Sequence, residues 1–125
     1  MRKNDIRELE HWLEKLVGSE IVVVVEGKKD KKALMNIGLP ADRIEVVNDA
    51  IFAVAERVAR NAAKVVILTD LDTEGKKLYG SLKRNFNRLG VRVDTYFREF
   101  LFKRSDLSHI EGIDTFLRNL RRKCC

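Results

Sequence analysis

The chain has 125 residues, a net charge of +6 and 35% charged residues. That length suits one domain that buries a core without disulfides or structural zinc. No apolar run approaches the length of a membrane span, and the only cysteines, Cys124 and Cys125, are adjacent in the tail, which excludes a disulfide framework and a cysteine-ligated zinc.

Residues 5–17 put Ile6, Leu9, Trp12, Leu13, Leu16 and Val17 on one helical stripe, with Asn4 or Asp5 as cap and Gly18 as stop. Ile21 to Val25 is a continuous β-branched run, the mark of a strand buried on both faces. Glu26-Gly27 breaks it, and residues 29–37 read as a short helix stopped by Gly38 and Pro40. Arg43 to Val47 predicts a second strand, and Asn48 or Asp49 caps a helix reaching about Ala62. Val65-Val66-Ile67-Leu68 is the next buried strand and ends at Thr69-Asp70. A helix from about Glu74 to Leu89 stops at Gly90, and Val91 to Phe97 predicts a fourth strand containing Tyr96. Ser105-Asp106 is a candidate cap, and a last helix spans about Gly112 to Lys123.

Four alternations of strand and helix imply an α/β, Rossmann-like fold. Its four-stranded, mostly parallel sheet carries helices on both faces and right-handed crossovers. We expect a single domain over residues 1–125, with a core of about 20–97, an N-terminal helix and a C-terminal helical extension over 105–123. The opening Met1-Arg2-Lys3-Asn4-Asp5 leads into an amphipathic helix and not an apolar signal region, so the expected location is the cytoplasm, with no membrane contact. The positive balance favours nucleic acid as partner.

In such sheets the chemistry sits beyond the carboxyl ends of the strands, at a switch in strand order. The two most apolar strands each end in an acid, Glu26 and Asp70. If those strands are neighbours, the acids converge. In Asp70-Leu71-Asp72, an extended backbone would aim both carboxylates the same way. Hard oxygens with room for water suit Mg²⁺ or Mn²⁺; the alternative is that Asp72 caps the next helix. Near a metal, Glu26 would bind the ion or move a proton. Gly27 lets the backbone turn sharply or approach a phosphate. Lys28, Lys29, Lys31 and Lys32 surround that turn, with Lys28 the candidate phosphate contact and Asp30 a brace.

Val22-Val23-Val24-Val25-Glu26-Gly27-Lys28-Lys29-Asp30, followed by Val66-Ile67-Leu68-Thr69-Asp70-Leu71-Asp72-Thr73-Glu74-Gly75, resembles the Toprim domain. That domain is shared by topoisomerases, bacterial primases, ribonuclease M5, nucleases and RecR proteins. Among its members the chain looks like the small stand-alone archaeal Toprim proteins. The resemblance implies Mg²⁺-dependent making or breaking of phosphodiesters. It makes Glu26 the acid/base glutamate, Asp70 and Asp72 the metal-binding aspartates, and Gly75 the glycine opening the next helix. In topoisomerases the nucleophilic tyrosine comes from another domain, and Tyr79 and Tyr96 here read as structural. Hydrolysis by water, as in a small nuclease, is therefore the expected activity.

Asp70-Leu71-Asp72-Thr73 also resembles the first motif of haloacid-dehalogenase-type phosphatases, but that family carries it on the first strand. A receiver domain needs an acidic pair after its first strand, which Glu26-Gly27 does not supply. The non-enzymatic alternative is a nucleic-acid-binding or docking subunit, as RecR proteins illustrate. Lys76, Lys77, Lys83, Arg84 and Arg88, and a second group of Arg118, Arg121, Arg122 and Lys123, are candidate phosphate-tracking cations. Phe97, Phe100 and Phe102 alternate with Arg98, Lys103 and Arg104. This pattern is open to base stacking, core packing or contact with a protein partner or second copy. His109 and Glu111 sit in a predicted loop, where they are candidate accessory ligands or proton shuttles.

Overall fold

A computed structural model describes residues 3–123, so Cys124 and Cys125 lie outside the described residues. Four parallel strands, β1 (Val22–Val25), β2 (Ile44–Val46), β3 (Lys64–Ile67) and β4 (Arg92–Asp94), form one sheet in the order β2-β1-β3-β4. The helices are α1 (Ile6–Ser19), α2 (Lys28–Asn36), α3 (Ile51–Ala59), α4 (Thr73–Arg88), α5 (Tyr96–Arg104) and α6 (Ile113–Lys123). Short 3₁₀ turns cover Ala41–Arg43 and Ile110–Gly112.

The continuous apolar strands are buried on both faces because successive side chains point to opposite sides of the sheet. Val23, Val25, Val66 and Leu68 join Leu9, Trp12, Leu16, Leu34, Leu101 and Leu117 in a core under α1, α2, α5 and α6. Val24, Val65 and Ile67 face the other way, against Val54, Val58, Leu82 and Phe86 of α3 and α4. Neighbours β1 and β3 pair Val22 with Val65, Val23 with Val66 and Val24 with Ile67. The strand order reverses between them, which fixes the crevice where ligands bind in open α/β sheets.

Several boundaries differ from the sequence expectation. Gly18 does not stop α1. The helix runs to Ser19, and Glu20 takes the left-handed conformation at φ 60°. Arg43 makes this end workable without a terminal glycine. Its Nη1 donates to the Val17 carbonyl at 2.7 Å, and Nη2 donates to Leu16 at 2.8 Å and Ile21 at 3.0 Å. The helix's orphan carbonyls thus meet a charged donor from the chain entering β2. Asp5 is the α1 cap, accepting from the Arg7 and Glu8 amides. At α3 the cap is Ala50, not Asn48 or Asp49, and Asp49 Oδ1 accepts the Ala50 amide instead.

The larger difference follows β4. The strand ends at Asp94, and Tyr96 opens a helix instead of lying in a strand. Asp94 Oδ1 accepts the Tyr96 amide at 3.0 Å, turning the chain out of the ladder. The aromatic-rich segment then makes contacts at helical spacing. Phe97 and Leu101 bury together, Tyr96 meets Phe100 with ring centroids 5.5 Å apart, and Arg98 lies over Phe102. Trp12 Nε1 donates to the Phe97 carbonyl at 2.9 Å, fastening α5 to α1. Phe97 is therefore a core residue. Among the described residues, no helix is long and apolar enough to cross a membrane.

Candidate metal centre

Glu26 directly follows β1, and Asp70 lies just past β3. Leu68 still pairs with β1 through its amide on the Val24 carbonyl at 2.8 Å. The two carboxyls face one crevice at the switch point, close enough for the Asp70 charge to act on Glu26. Burial pushes the Glu26 carboxyl up to about 7, helped by the nearby charges of Asp70, Asp30 and Asp72. Its Oε1 is buried with no hydrogen-bond partner among the described residues.

Asp72 caps α4 and faces the cluster at once. Its Oδ1 accepts the Gly75 amide at 2.8 Å, while Oδ2 lies 3.4 Å from His109 Nε2. One donor atom from each of Asp70, Asp72 and His109 falls within 4.8 Å of the others. The two readings of Asp72, cap and ligand, are thus compatible.

His109 reaches this cluster because the chain after α5 is tied to the aspartate loop. The Leu71 amide donates to the Ser108 carbonyl at 2.9 Å, and the Ile110 amide donates to Asp70 Oδ1 at 2.7 Å. Glu111 is exposed and lies near Asp30, on whose carboxyl its charge acts, and it is not among the clustered donors Asp70, Asp72 and His109. Asp30 is the brace of the first turn. Nearly buried, it accepts the Gly27 amide on Oδ2 at 3.0 Å, and burial raises its pKa.

Two residues take supporting roles that their sequence positions do not announce. Arg98 donates from Nε to the Thr69 carbonyl at 3.0 Å and from Nη2 to the Asp70 carbonyl at 2.7 Å. Its guanidinium lies 4.6 Å from the Tyr79 ring centroid and 5.2 Å from that of Phe102. Thr69 Oγ1 donates to the Gly75 carbonyl at 2.8 Å, joining the end of β3 to the first turn of α4. An arginine amid aromatics and a threonine before an aspartate carry no distinctive sequence signal. Lys28, by contrast, is exposed at the first position of α2 and forms no hydrogen bond or ion pair among the described residues.

The donor set fits a divalent cation. The Asp70 and Asp72 carboxylates converge with one imidazole, and beside them the Glu26 carboxyl keeps one buried oxygen without a partner, its pKa raised by burial and by the neighbouring acids. Without a cation the raised Glu26 pKa carries a stability cost whose sign is definite. Between its ordinary value and about 7, the folded chain holds a proton that the unfolded chain has lost, so this group's contribution falls as pH rises. We expect Glu26→Gln to gain on the wild type in Tm, in chelator, as pH goes from about 5 to about 8. Calorimetry at both pH values checks this, and a constant difference would contradict it.

The Toprim domain profile matches residues 21–100, and the chain belongs to the Toprim domain family. Its relatives are small archaeal UPF0292 proteins. One from Thermococcus onnurineus is 32% identical over 114 residues, covering 91% of this chain and 84% of that protein. Another, from Methanocaldococcus jannaschii, is 28% identical over 106 residues, covering 82% and 83% respectively. A solved protein from Aquifex aeolicus, 32% identical, superposes with a TM-score of 0.75 over 83% of this chain and 96% of its own. A Toprim domain with an Asp70–Asp72–His109 cluster fits metal-dependent chemistry on nucleic acid.

Proposed function

We propose that this chain is a small nuclease that hydrolyses nucleic-acid phosphodiesters with Mg²⁺ or Mn²⁺, acting in the cytoplasm. The observation that carries the proposal is the convergence of Glu26 with Asp70 and Asp72 at the β1–β3 switch point, where one Glu26 oxygen is buried without a partner. Asp70 and Asp72 would hold the ion, and Glu26 would complete its shell or activate water. When bound, the ion would supply Lewis-acid stabilisation of charge on a phosphoryl oxygen.

The rest of the chemistry belongs to the chain. Glu26 stands at the end of β1 beside the two aspartates, which suits its carboxylate to taking a proton from water. As the water oxygen bonds to phosphorus, its proton passes to Glu26; the P–O bond to the leaving sugar oxygen breaks, and that oxygen takes a proton from solvent water to leave as a hydroxyl. The exposed Lys28 is free to steady the phosphate as a point charge. The Gly27 amide is held by Asp30, which keeps the turn beside Glu26 in place.

The test is a panel of structured RNA, single-stranded DNA and duplex DNA, each with Mg²⁺, Mn²⁺ or chelator. Metal-dependent cutting identifies the polymer. Salt-sensitive binding without cutting in either metal replaces this reading with a nucleic-acid-binding or docking module.

A further inference from the structure

We infer that His109 supplies a nitrogen ligand to the metal centre, so that this site selects a first-row transition ion, with Mn²⁺ as the probe, over Mg²⁺. The inference rests on the proposed metal centre and names its ion. His109 lies outside residues 21–100 matched by the Toprim profile, so the ligand comes from the segment after α5, not from the family's own acids.

The carboxylates are each half engaged. Asp70 Oδ1 is taken by the Ile110 amide and Asp72 Oδ1 by the Gly75 amide, which leaves each one oxygen for a cation. The oxygen left on Asp72 is the one 3.4 Å from His109 Nε2, a spacing of the order found between neighbouring donors on one cation. The imidazole is placed rather than trailing. Its loop is fastened on both sides, by Ser108 to Leu71 and by Ile110 to Asp70. Ser108 Oγ lies 3.0 Å from His109 Nδ1. With Nδ1–H donating to that hydroxyl, the lone pair of Nε2 faces Asp72, which is how a second partner sets the tautomer of a metal-bound histidine.

Ligand chemistry then decides the ion. Mg²⁺ prefers oxygen donors and gives up its water reluctantly. Replacing one oxygen by imidazole favours transition ions, which bind nitrogen more tightly across the first row. Asp70, Asp72 and Glu26 alone would leave Mg²⁺ and Mn²⁺ less distinguished.

The experiment reads binding and spectra, not cleavage. Mn²⁺ and Mg²⁺ are titrated calorimetrically into metal-stripped wild type, His109→Ala, Ser108→Ala and Asp70→Asn, and spin-echo spectra of the Mn²⁺-loaded proteins are searched for nitrogen coupling. We expect His109→Ala to lose about 10-fold or more in Mn²⁺ affinity, with Mg²⁺ changed by no more than about 2-fold, and to lose the nitrogen signal. Ser108→Ala keeps the imidazole and is expected to fall between wild type and His109→Ala. His109 is exposed, so its removal leaves the core intact. A wild-type Mn²⁺ spectrum without nitrogen coupling, or an unchanged Mn²⁺/Mg²⁺ ratio in His109→Ala, overturns the inference while leaving the carboxylate centre standing. Failure of the wild type to bind either ion, with Asp70→Asn no different, overturns the centre itself.

Discussion

Asp70→Asn is expected to abolish metal-dependent cleavage while leaving the fold intact, and in chelator to melt no lower than the wild type. The amide retains an oxygen for the Ile110 N–H, and the backbone carbonyl held by Arg98 is untouched. What disappears is the charge. Asp70 is the largest charged contributor to the raised pKa of Glu26, so its removal relieves a repulsion within the switch point. Lewis-acid stabilisation is worth several kcal/mol, so losing the anchoring carboxylate should cost at least about 10³-fold in rate. Single-turnover cleavage and a melting curve on the same preparation check both halves. A large fall in Tm would make Asp70 a structural acid.

Gly75→Ala is expected to damage both stability and activity. A Cβ there would run into the Asp70 carbonyl oxygen and the backbone behind it, and neither is a side chain that can swing away. The same carbonyl is pinned from the other side by Arg98 Nη2 at 2.7 Å. Either α4 backs off the end of β3 or the aspartate loop moves, and both routes disturb the Thr69–Gly75 and Asp72–Gly75 bonds. Overpacking of this kind costs about 1–3 kcal/mol. The drop should exceed the ordinary gain of replacing glycine by alanine inside a helix, about 1 kcal/mol. Chemical denaturation with the midpoint compared at constant m-value is the measurement; a variant as stable as the wild type would mean that the close approach relaxes without cost.

Much of this was readable in the residues. Ile21–Val25 and Val65–Leu68 lack the polar alternation of a half-exposed strand, so they declare burial on both faces and, with it, the centre of a parallel sheet. An acid at the end of each such strand then predicts convergence, given that β1 and β3 are neighbours. Less was readable where tertiary contacts override local preference. Tyr96–Arg104 is rich in residues that suit a strand, yet Phe97 and Leu101 pack four apart onto α1, and that packing makes it helix. Gly18 looked like a helix stop, but Arg43, from a distant turn, caps the Leu16 and Val17 carbonyls and the helix runs on to Ser19. His109 was visible as a titratable loop residue. Its place beside Asp72 depends on the Leu71–Ser108 and Asp70–Ile110 bonds, which no spacing along the chain specifies.

The bond from the Ile110 amide to Asp70 joins residues 40 positions apart, and it has a consequence for synthesis. Glu26, Asp70 and Asp72 all leave the ribosome before the segment that orients Asp70. A nascent chain can pair β1 with β3 while its aspartate loop still lacks the Ile110 amide and the Ser108 carbonyl that hold it. The acids are therefore translated early and locked late, so a growing chain displays the residues of a centre before it possesses one.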